Sequence, residues 1–490
     1  MRILLYFPGL FFFFPLFDIS AQNVSARSNV LFIFVDDLRP ELGCYGNSII
    51  KTPNLDKLAS RSVVFKNHYV QVPTCGASRF SLLTGLFPRS RAHLRNDAIE
   101  RFISNQPEAE HPETFIHHLR RNGYYTVGIG KISHSADGLL YAYTGDPAGA
   151  KRELPHSWDE LLFNAGKWAT GWNAFFGYAD GSNRQSLDGK VRPYENADVP
   201  DEDYVDGLTA NLAVTKLAEL AGKQSPFFLG VGFFKPHLPF NAPKKYWDLY
   251  DEAKLPVTHS RNLPVNSNAA SFHNSGEFNS YRSGEEKPSL SSPVSDNYAR
   301  KLTHAYYASV SYVDAQIGKV LETLKDTGLA ENTIVVVWGD HGWHLGDHRV
   351  WGKHTLSERA LKSPLIVKVP GIREGRVVRN IVSSVDIYPT LMELCKVPVS
   401  HPVDGKSFAG LFSGLDSFDH PSFSYYNNGI TMRTERYRIT RYFRVDEPLI
   451  ELYDHQKDPE ENFNVAAGHP AVIKRLMRQW ENGDTGLYRE

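Results

Sequence analysis

The sequence predicts an α/β fold: a large mixed, mostly parallel sheet between helices, followed by a smaller antiparallel sheet with one helix. Three observations predict it. Asn29–Val35, Gly123–Gly130, Phe227–Phe234 and Thr333–Trp338 are continuous apolar runs rich in β-formers, the pattern of strands covered on both faces. Stretches with helical apolar spacing, such as Phe115, Ile116 and Leu119, lie between them, so strands and helices alternate along the chain. Past about residue 415 the pattern changes to short strands with turn signals between them. At 490 residues, 41% hydrophobic and 22% charged, the chain is long enough for one large domain and a smaller one. The division reads as a leader over 1–21, an α/β domain over 22–415 and a small antiparallel domain over 416–490.

The leader is a short basic start, Met1-Arg2, then an apolar run from Ile3 to Phe17 and a small residue, Ala21, at a cleavage point. This is the pattern of a secretory signal peptide. The run is short and broken by Pro8 and Pro15, which disfavours a membrane anchor. No cysteine follows it for a lipid anchor, and no later run is long and apolar enough to span a bilayer. The expected location is exported, periplasmic or secreted. The one sequon, Asn23-Val24-Ser25, favours a bacterial home over a glycosylated animal one. A formal net charge of −1 gives no case for nucleic acid or a membrane surface as partner. The three cysteines, Cys44, Cys75 and Cys395, are too few for a disulfide framework. Pairing of Cys44 with Cys395 stays open, with Cys75 the candidate for the unpaired one.

The first strand ends in Asp36-Asp37. Adjacent carboxylates repel unless a cation binds them, and strand ends are where open α/β sheets place ligands; a solvated turn is the alternative. Thr52–Ala59 starts a helix with Pro53 at its first position, and Val63–Phe65 is a short strand. It leads to Cys75, which stands among small residues between Pro73 and Arg79, ahead of a helical run. Thr74 suits the N-cap, and a helix N-terminus favours a thiolate. A buried structural cysteine is the plainer reading of this stretch alone. Glu113–Arg121 is a helix, and the strand ending at Gly130 runs into Lys131 and His134. Residues 158–206 hold Trp168, Trp172, Phe175, Phe176 and Tyr178 among Gly, Asn and Asp. They read as long loops and weak strands, either irregular packing or an aromatic wall for a sugar. Asp206–Leu220 is a helix, and the next strand runs into Lys235-Pro236-His237.

Residues 256–295, rich in Ser, Asn and Gly, read as a long exposed loop. His304–Leu324 is a helix, and the strand after it ends in Gly339-Asp340-His341-Gly342, with Lys353 beyond. Leu365–Val369 is a strand, and Asp386–Leu391 opens a helix. Ser422–Tyr426, Gly429–Thr434, Tyr437–Phe443 and Leu449–Asp454 are the late strands, and Ala471–Trp480 is the last helix. Four strand ends therefore bear polar groups, and in a parallel sheet they share one edge. Carboxylates with an imidazole suit a hard cation. Arg79, Lys131 and Lys353 suit an anion, and His134 and His237 suit proton transfer.

Cys75-Gly76-Ala77-Ser78-Arg79, followed by Ser81-Leu82-Leu83-Thr84-Gly85, resembles the signature of the type I, formylglycine-dependent sulfatases, with alanine where many members have proline. Asp36-Asp37, Thr52–Asp56, Gly130-Lys131 and Gly339–Gly342 match the same family in the same order. Lys235–Phe240 and the histidine after Asp340 resemble its iduronate-2-sulfatase branch, and Glu451–Asp454 with Asp458–Asn462 its C-terminal sheet and turn. The resemblance implies an alkaline-phosphatase-like fold and a sulfuric ester hydrolase acting on a sulfated polysaccharide or its oligosaccharides. It implies that a formylglycine-generating enzyme converts Cys75 to formylglycine, whose hydrate attacks sulfur with one hydroxyl and expels sulfate through the other. It implies Ca²⁺, in preference to Mg²⁺, held by Asp36, Asp37, Asp340, His341 and the modified residue 75. Arg79 and Lys131 would orient the hydrate, His134 would take a proton, His237 would give one to the leaving oxygen, and Lys353, rather than nearby Lys362, would hold sulfate. One alternative is a phosphatase or phosphonate hydrolase of the same superfamily; Cys75 with Arg79, in place of a Thr or Ser nucleophile, argues against it. The other is an inactive exported glycan-binding protein, against which the intact polar strand ends argue.

Overall fold

The computed structural model describes residues 27–488 other than 109, 400, 415–417 and 446. The leader over 1–21, the sequon at Asn23 and the boundary at 415–416 lie outside the described residues.

The main sheet has eight strands: β1 (Asn29–Val35), β2 (Val63–Tyr69), β3 (Tyr125–Gly130), β4 (Glu160–Leu162), β5 (Phe227–Phe233), β6 (Thr333–Gly339), β7 (Leu365–Lys368) and β8 (Arg376–Ser383). Their order is β8-β2-β7-β6-β1-β5-β3-β4. Neighbours pair in parallel except β7, which is antiparallel to both β6 and β2. Every residue of β1, β5 and β6 is buried. Alternation explains their unbroken apolar runs: Leu31, Ile33 and Val35 enter one core, and Val30, Phe32 and Phe34 the other. The edge strand β8 was not predicted; its pairing with β2 shifts register between Val378 and Ile381, and its half-exposed pattern lacks the apolar run.

The helices that cover the sheet are α1 (Pro53–Ala59), α2 (Cys75–Thr84), α3 (Phe115–Arg121), α4 (Val205–Leu220), α5 (Asp296–Asp326) and α6 (Ser384–Leu394). Leu55 of α1, Leu217 of α4 and Val313 of α5 pack on the first face. Leu82 of α2, Ile116 of α3 and Leu391 of α6 pack on the second. Helix α5 starts ahead of the predicted His304 because Ser295 caps it, accepting the Tyr298 N–H at 3.2 Å. The late strands form an antiparallel meander, β9 (Ser422–Tyr426), β10 (Gly429–Arg433), β11 (Tyr437–Tyr442) and β12 (Leu449–Asp454). Asn427 and Asn428, at φ +47° and +55°, make the two-residue turn from β9 to β10. Helix α7 (Pro470–Met477) contributes Leu476 to the core of this sheet.

All three cysteines are free: Cys44 packs against the first core and Cys395 lies in the second, so the open pairing does not occur. Among the described residues no helix is long and apolar enough to cross a membrane. The C-terminal ends of β1, β2, β3, β5 and β6 share one edge, and the start of α2 follows from β2 there.

Candidate active site

Cys75 is the first residue of α2, a helix buried at every position. Its neighbour must be glycine, since a Cβ on Gly76 would lie 2.1 Å from the Asn96 carbonyl oxygen. The Gly76 N–H donates to Asn96 Oδ1 at 3.0 Å, which pins the helix start. Thr74 holds the N-cap position but makes no capping bond, and its hydroxyl is buried with no hydrogen-bond partner among the described residues. The Cys75 Sγ lies 3.3 Å from His341 Nε2, 3.4 Å from Lys353 Nζ and 3.9 Å from Asp37 Oδ1. Burial pushes the thiol well above its ordinary pKa, and the Lys353 ammonium does not offset it. A neutral thiol is a weak nucleophile, so an unmodified cysteine does not explain the charged groups gathered round it.

Asp36 and Asp37 follow β1 directly, and Asp37 turns the chain at φ +56°. Asp36 accepts from Lys131 Nζ at 2.6 Å and from the Arg79 guanidinium at 3.0 Å. Asp37 accepts from Lys353 Nζ at 2.9 and 3.1 Å, and its N–H donates to Asp340 Oδ1 at 2.9 Å. Arg79 also donates twice to Asp340 Oδ2, at 3.1 Å each, and to the carbonyls of Lys131 and Ile132 at 2.6 and 3.1 Å. Burial alone would raise the Asp36 pKa, but Lys131 and Arg79 outweigh it and hold the carboxyl well below its usual range. Asp340 is pushed up to about 7, by burial first and then by the Asp36 charge. Burial raises Asp37 as well. Carboxylates crowded out of water in this way have affinity to spare for a cation.

The donor set fits one. Asp36, Asp37, Cys75 and His237 offer ligand atoms within 4.8 Å of one another, and so do Cys75, Asp340 and His341. The His341 Nδ1 faces the Gly342 carbonyl at 3.0 Å, and burial holds the ring neutral, with its pKa lowered to about 4. Its Nε2 lone pair is then free toward Cys75 and Asp37. Three carboxylates with one imidazole suit a hard divalent ion such as Ca²⁺ or Mg²⁺.

The remaining predicted residues also converge. Asp206 accepts the N–H groups of Phe234 and Lys235, each at 2.8 Å, and fixes the turn after β5. Lys235 Nζ donates to the carbonyls of His237 and Pro239. His237 is thereby held with Nδ1 at 2.6 Å from the Leu238 carbonyl and Nε2 at 3.8 Å from Asp37 Oδ2. His134 follows β3; burial and the Lys131 charge keep its pKa well below the ordinary value, so it stays a neutral base, and its Nδ1 is buried with no hydrogen-bond partner among the described residues. Lys353 is in the site, whereas Lys362 pairs with Glu358 at 3.3 Å.

One reading of the loops needs correction, and the structure bears on an open one. Residues 256–295 are not a plain exposed loop. Ser271, Ser275, Phe278 and Tyr281 are buried, the His273 Nε2 meets the Lys353 carbonyl at 2.6 Å, and Ser275 Oγ accepts the Trp351 N–H at 2.9 Å. The segment carries Glu277 into the site, 3.1 Å from His237 Nε2 and 3.3 Å from Lys353 Nζ. Nothing in its polar composition signals that carboxylate. Of the two readings left open for 158–206, packing fits Trp168, Phe175 and Phe176, which are buried in an apolar cluster with Phe234. Trp172 lies in the same cluster, but it also lines a cavity of about 760 Å³ beside His134, with Arg95, Asn96 and Tyr143.

Comparison with known proteins adds to this geometry. The family model described as Sulfatase matches residues 28–397, and one described as N-sulphoglucosamine sulphohydrolase, C-terminal, matches residues 346–483. The iduronate 2-sulfatase of Mus musculus is 31% identical over 420 residues, covering 78% of this chain and 71% of that protein. A sulfatase of Formosa agariphila is 30% identical over 461 residues, covering 91% and 84%. Among solved structures, the phosphonate monoester hydrolase SpPMH from Silicibacter pomeroyi matches with a TM-score of 0.72 at 25% identity, covering 93% of this chain and 94% of that one.

Proposed function

The chain belongs to the sulfatase family, with its alkaline-phosphatase-like fold and its sulfuric ester hydrolase activity; from that premise we propose that it removes sulfate from a glycosaminoglycan-type oligosaccharide, with Cys75 converted to formylglycine and a calcium ion at the sheet edge. The convergence of Asp36, Asp37, Asp340, His341, Arg79, Lys131 and Lys353 round the buried Cys75 carries this reading. A formylglycine hydrate supplies two hydroxyls, one to attack sulfur and one through which sulfate is expelled, where a neutral thiol supplies neither. Asp36, Asp37, Asp340 and His341 would hold the calcium ion, which when bound withdraws charge from sulfate and acidifies a hydroxyl.

The other residues act directly. Lys131 and Arg79, tied to Asp36, orient the oxygens at position 75. Lys353 meets the sulfate. His134, kept neutral by burial and by Lys131, accepts a proton, and His237 gives one to the leaving oxygen. The name of the iduronate 2-sulfatase relative supports a glycosaminoglycan-type substrate. The leader pattern over 1–21 supports export, the single sequon a bacterial home, and the signature from Cys75 to Arg79 maturation by a formylglycine-generating enzyme. Phosphonate monoester hydrolysis is the second reading, on the likeness to the Silicibacter pomeroyi enzyme.

The test is a desulfation screen on defined sulfated oligosaccharides, with a phosphonate monoester alongside and mass spectrometry of the Cys75 peptide. We expect formylglycine at 75, sulfate release, and a loss on the order of 10³-fold or more in Cys75→Ala. Full activity in Cys75→Ala would overturn the mechanism. An unmodified Cys75 with no sulfate released from any glycan would favour the glycan-binding alternative, and faster cleavage of the phosphonate would favour the second reading.

A further inference from the structure

Glu277 is a carboxylate beyond the three of the cation donor set, 3.3 Å from the lysine assigned to sulfate. Lys131, Lys353 and Arg79 gather there, and a negative group beside them weakens the attraction for sulfate. Lys353 and His237 pair with one oxygen of Glu277 only, and Lys353 also meets both oxygens of Asp37. Its position is firmly set. The segment bearing it is tied to Trp351 and Lys353 through Ser275 and His273, and Phe278 and Tyr281, which flank it, are buried. The Glu277 Oε1 is shared between His237 Nε2 at 3.1 Å and Lys353 Nζ at 3.3 Å. The Oε2 is buried and has no hydrogen-bond partner among the described residues. An unpaired buried carboxylate oxygen is costly, and native proteins rarely leave one without use.

We infer that Glu277 is a specificity-determining residue: its Oε2 accepts a hydrogen bond from the substrate itself, so the site requires a donor, a free hydroxyl or an ammonium, next to the sulfate ester. The inference rests on the sulfatase reading and adds what the substrate must carry beside the ester. A second sulfate or a methyl ether at that neighbouring position would leave Oε2 unpaired or repelled, and sites built to bond a substrate donor reject analogues lacking one.

The experiment uses the sulfated oligosaccharide of the screen above that Cys75→Ala binds most tightly and the same compound methylated at the hydroxyl vicinal to the ester. Binding is measured by calorimetry in a Cys75→Ala background, so it does not depend on chemistry at residue 75; turnover is measured in the converted enzyme. In both, the free hydroxyl should be preferred by about tenfold or more with Glu277 present. In Glu277→Ala and in Glu277→Met, neither of which offers an oxygen acceptor there, the preference should collapse toward unity, with the melting temperature kept in at least one of the two. A preference that persists in a folded variant, or none with Glu277 in place, overturns the inference. Binding preference without sulfate release from the converted enzyme would instead overturn the sulfatase reading and leave the role of Glu277 standing.

Discussion

Arg79 is a cation with no exposure to solvent, tolerable only because its donors are all employed, on two carboxylates and two carbonyls. His68 solves a related problem by staying neutral. Its Nδ1–H donates to the Ser363 carbonyl at 3.2 Å, and its Nε2 accepts from Ser384 Oγ at 3.0 Å, an oxygen that also accepts the Trp338 indole N–H at 3.0 Å. Burial pulls the His68 pKa down to about 4, against about 6.5 for an unfolded histidine. Between those values the unfolded chain binds a proton that the folded chain refuses. The stability is therefore complete above pH 6.5 and is lost as pH falls toward 4. For this one residue the loss between pH 7 and pH 4 comes to about 3 kcal/mol. Urea unfolding at both pH values should show wild type losing about 3 kcal/mol more than His68→Asn, which keeps a donor toward Ser363 without a titrating ring. Equal losses in the two proteins would mean that His68 is not a source of the acid sensitivity.

At the scale of elements, the edge is precise because β3 and β5 approach with no side chain between them. Gly130 pairs with Gly232. A Cβ on Gly232 would lie 2.0 Å from the Lys131 carbonyl oxygen, and one on Gly130, which is at φ +74°, 2.3 Å from the Gly232 oxygen. The atoms in the way are backbone, so the strand end must move. Gly232→Ala should displace Lys131 from Asp36 and its carbonyl from Arg79, costing about 1–3 kcal/mol in urea unfolding. Well below the melting temperature, kcat/KM should fall by more than tenfold; retained activity would show that the pair serves packing alone. The same geometry explains what the sequence makes legible. β1, β5 and β6 are apolar on both faces, so they read as unbroken runs, and residues at their ends, from Asp36 to His341, are found by adjacency. β8 shows half its surface and has no such run. Glu277 is distant in sequence from every strand end and reaches the site only through the tether of its segment to Lys353 and Trp351.

Across the whole molecule, the C-terminal sheet braces the approach to Cys75. The Tyr425 N–H donates to the Gln71 carbonyl at 2.8 Å, and Ser424 Oγ to that of Val70 at 2.6 Å, so β9 is bonded to the segment between β2 and α2. Beside it lies a buried ionic junction. Glu358, from the large domain, accepts from Arg433 at 3.2 Å and from Arg438, and takes the Tyr69 hydroxyl at 2.8 Å. Arg438 also donates to Glu461 at 2.6 Å, and Glu461 accepts the Glu358 N–H at 2.8 Å. The change of composition near residue 415 reads as the start of a second unit, but does not disclose this junction, whose members are far apart in the chain. Arg438 is the cation that both carboxylates share, so Arg438→Gln leaves Glu358 and Glu461 facing each other with less compensation. Losing one partner of a buried pair costs about 3–5 kcal/mol. Because the junction reaches Tyr69 and the bonded segment leads to Cys75, the cost should fall on both units together. Arg438→Gln should lower the melting temperature by several degrees while keeping a single transition, with activity lost at that same transition. If the variant melted in two steps, with sulfate release surviving the first, the C-terminal sheet would be an independent appendage rather than the brace of the site.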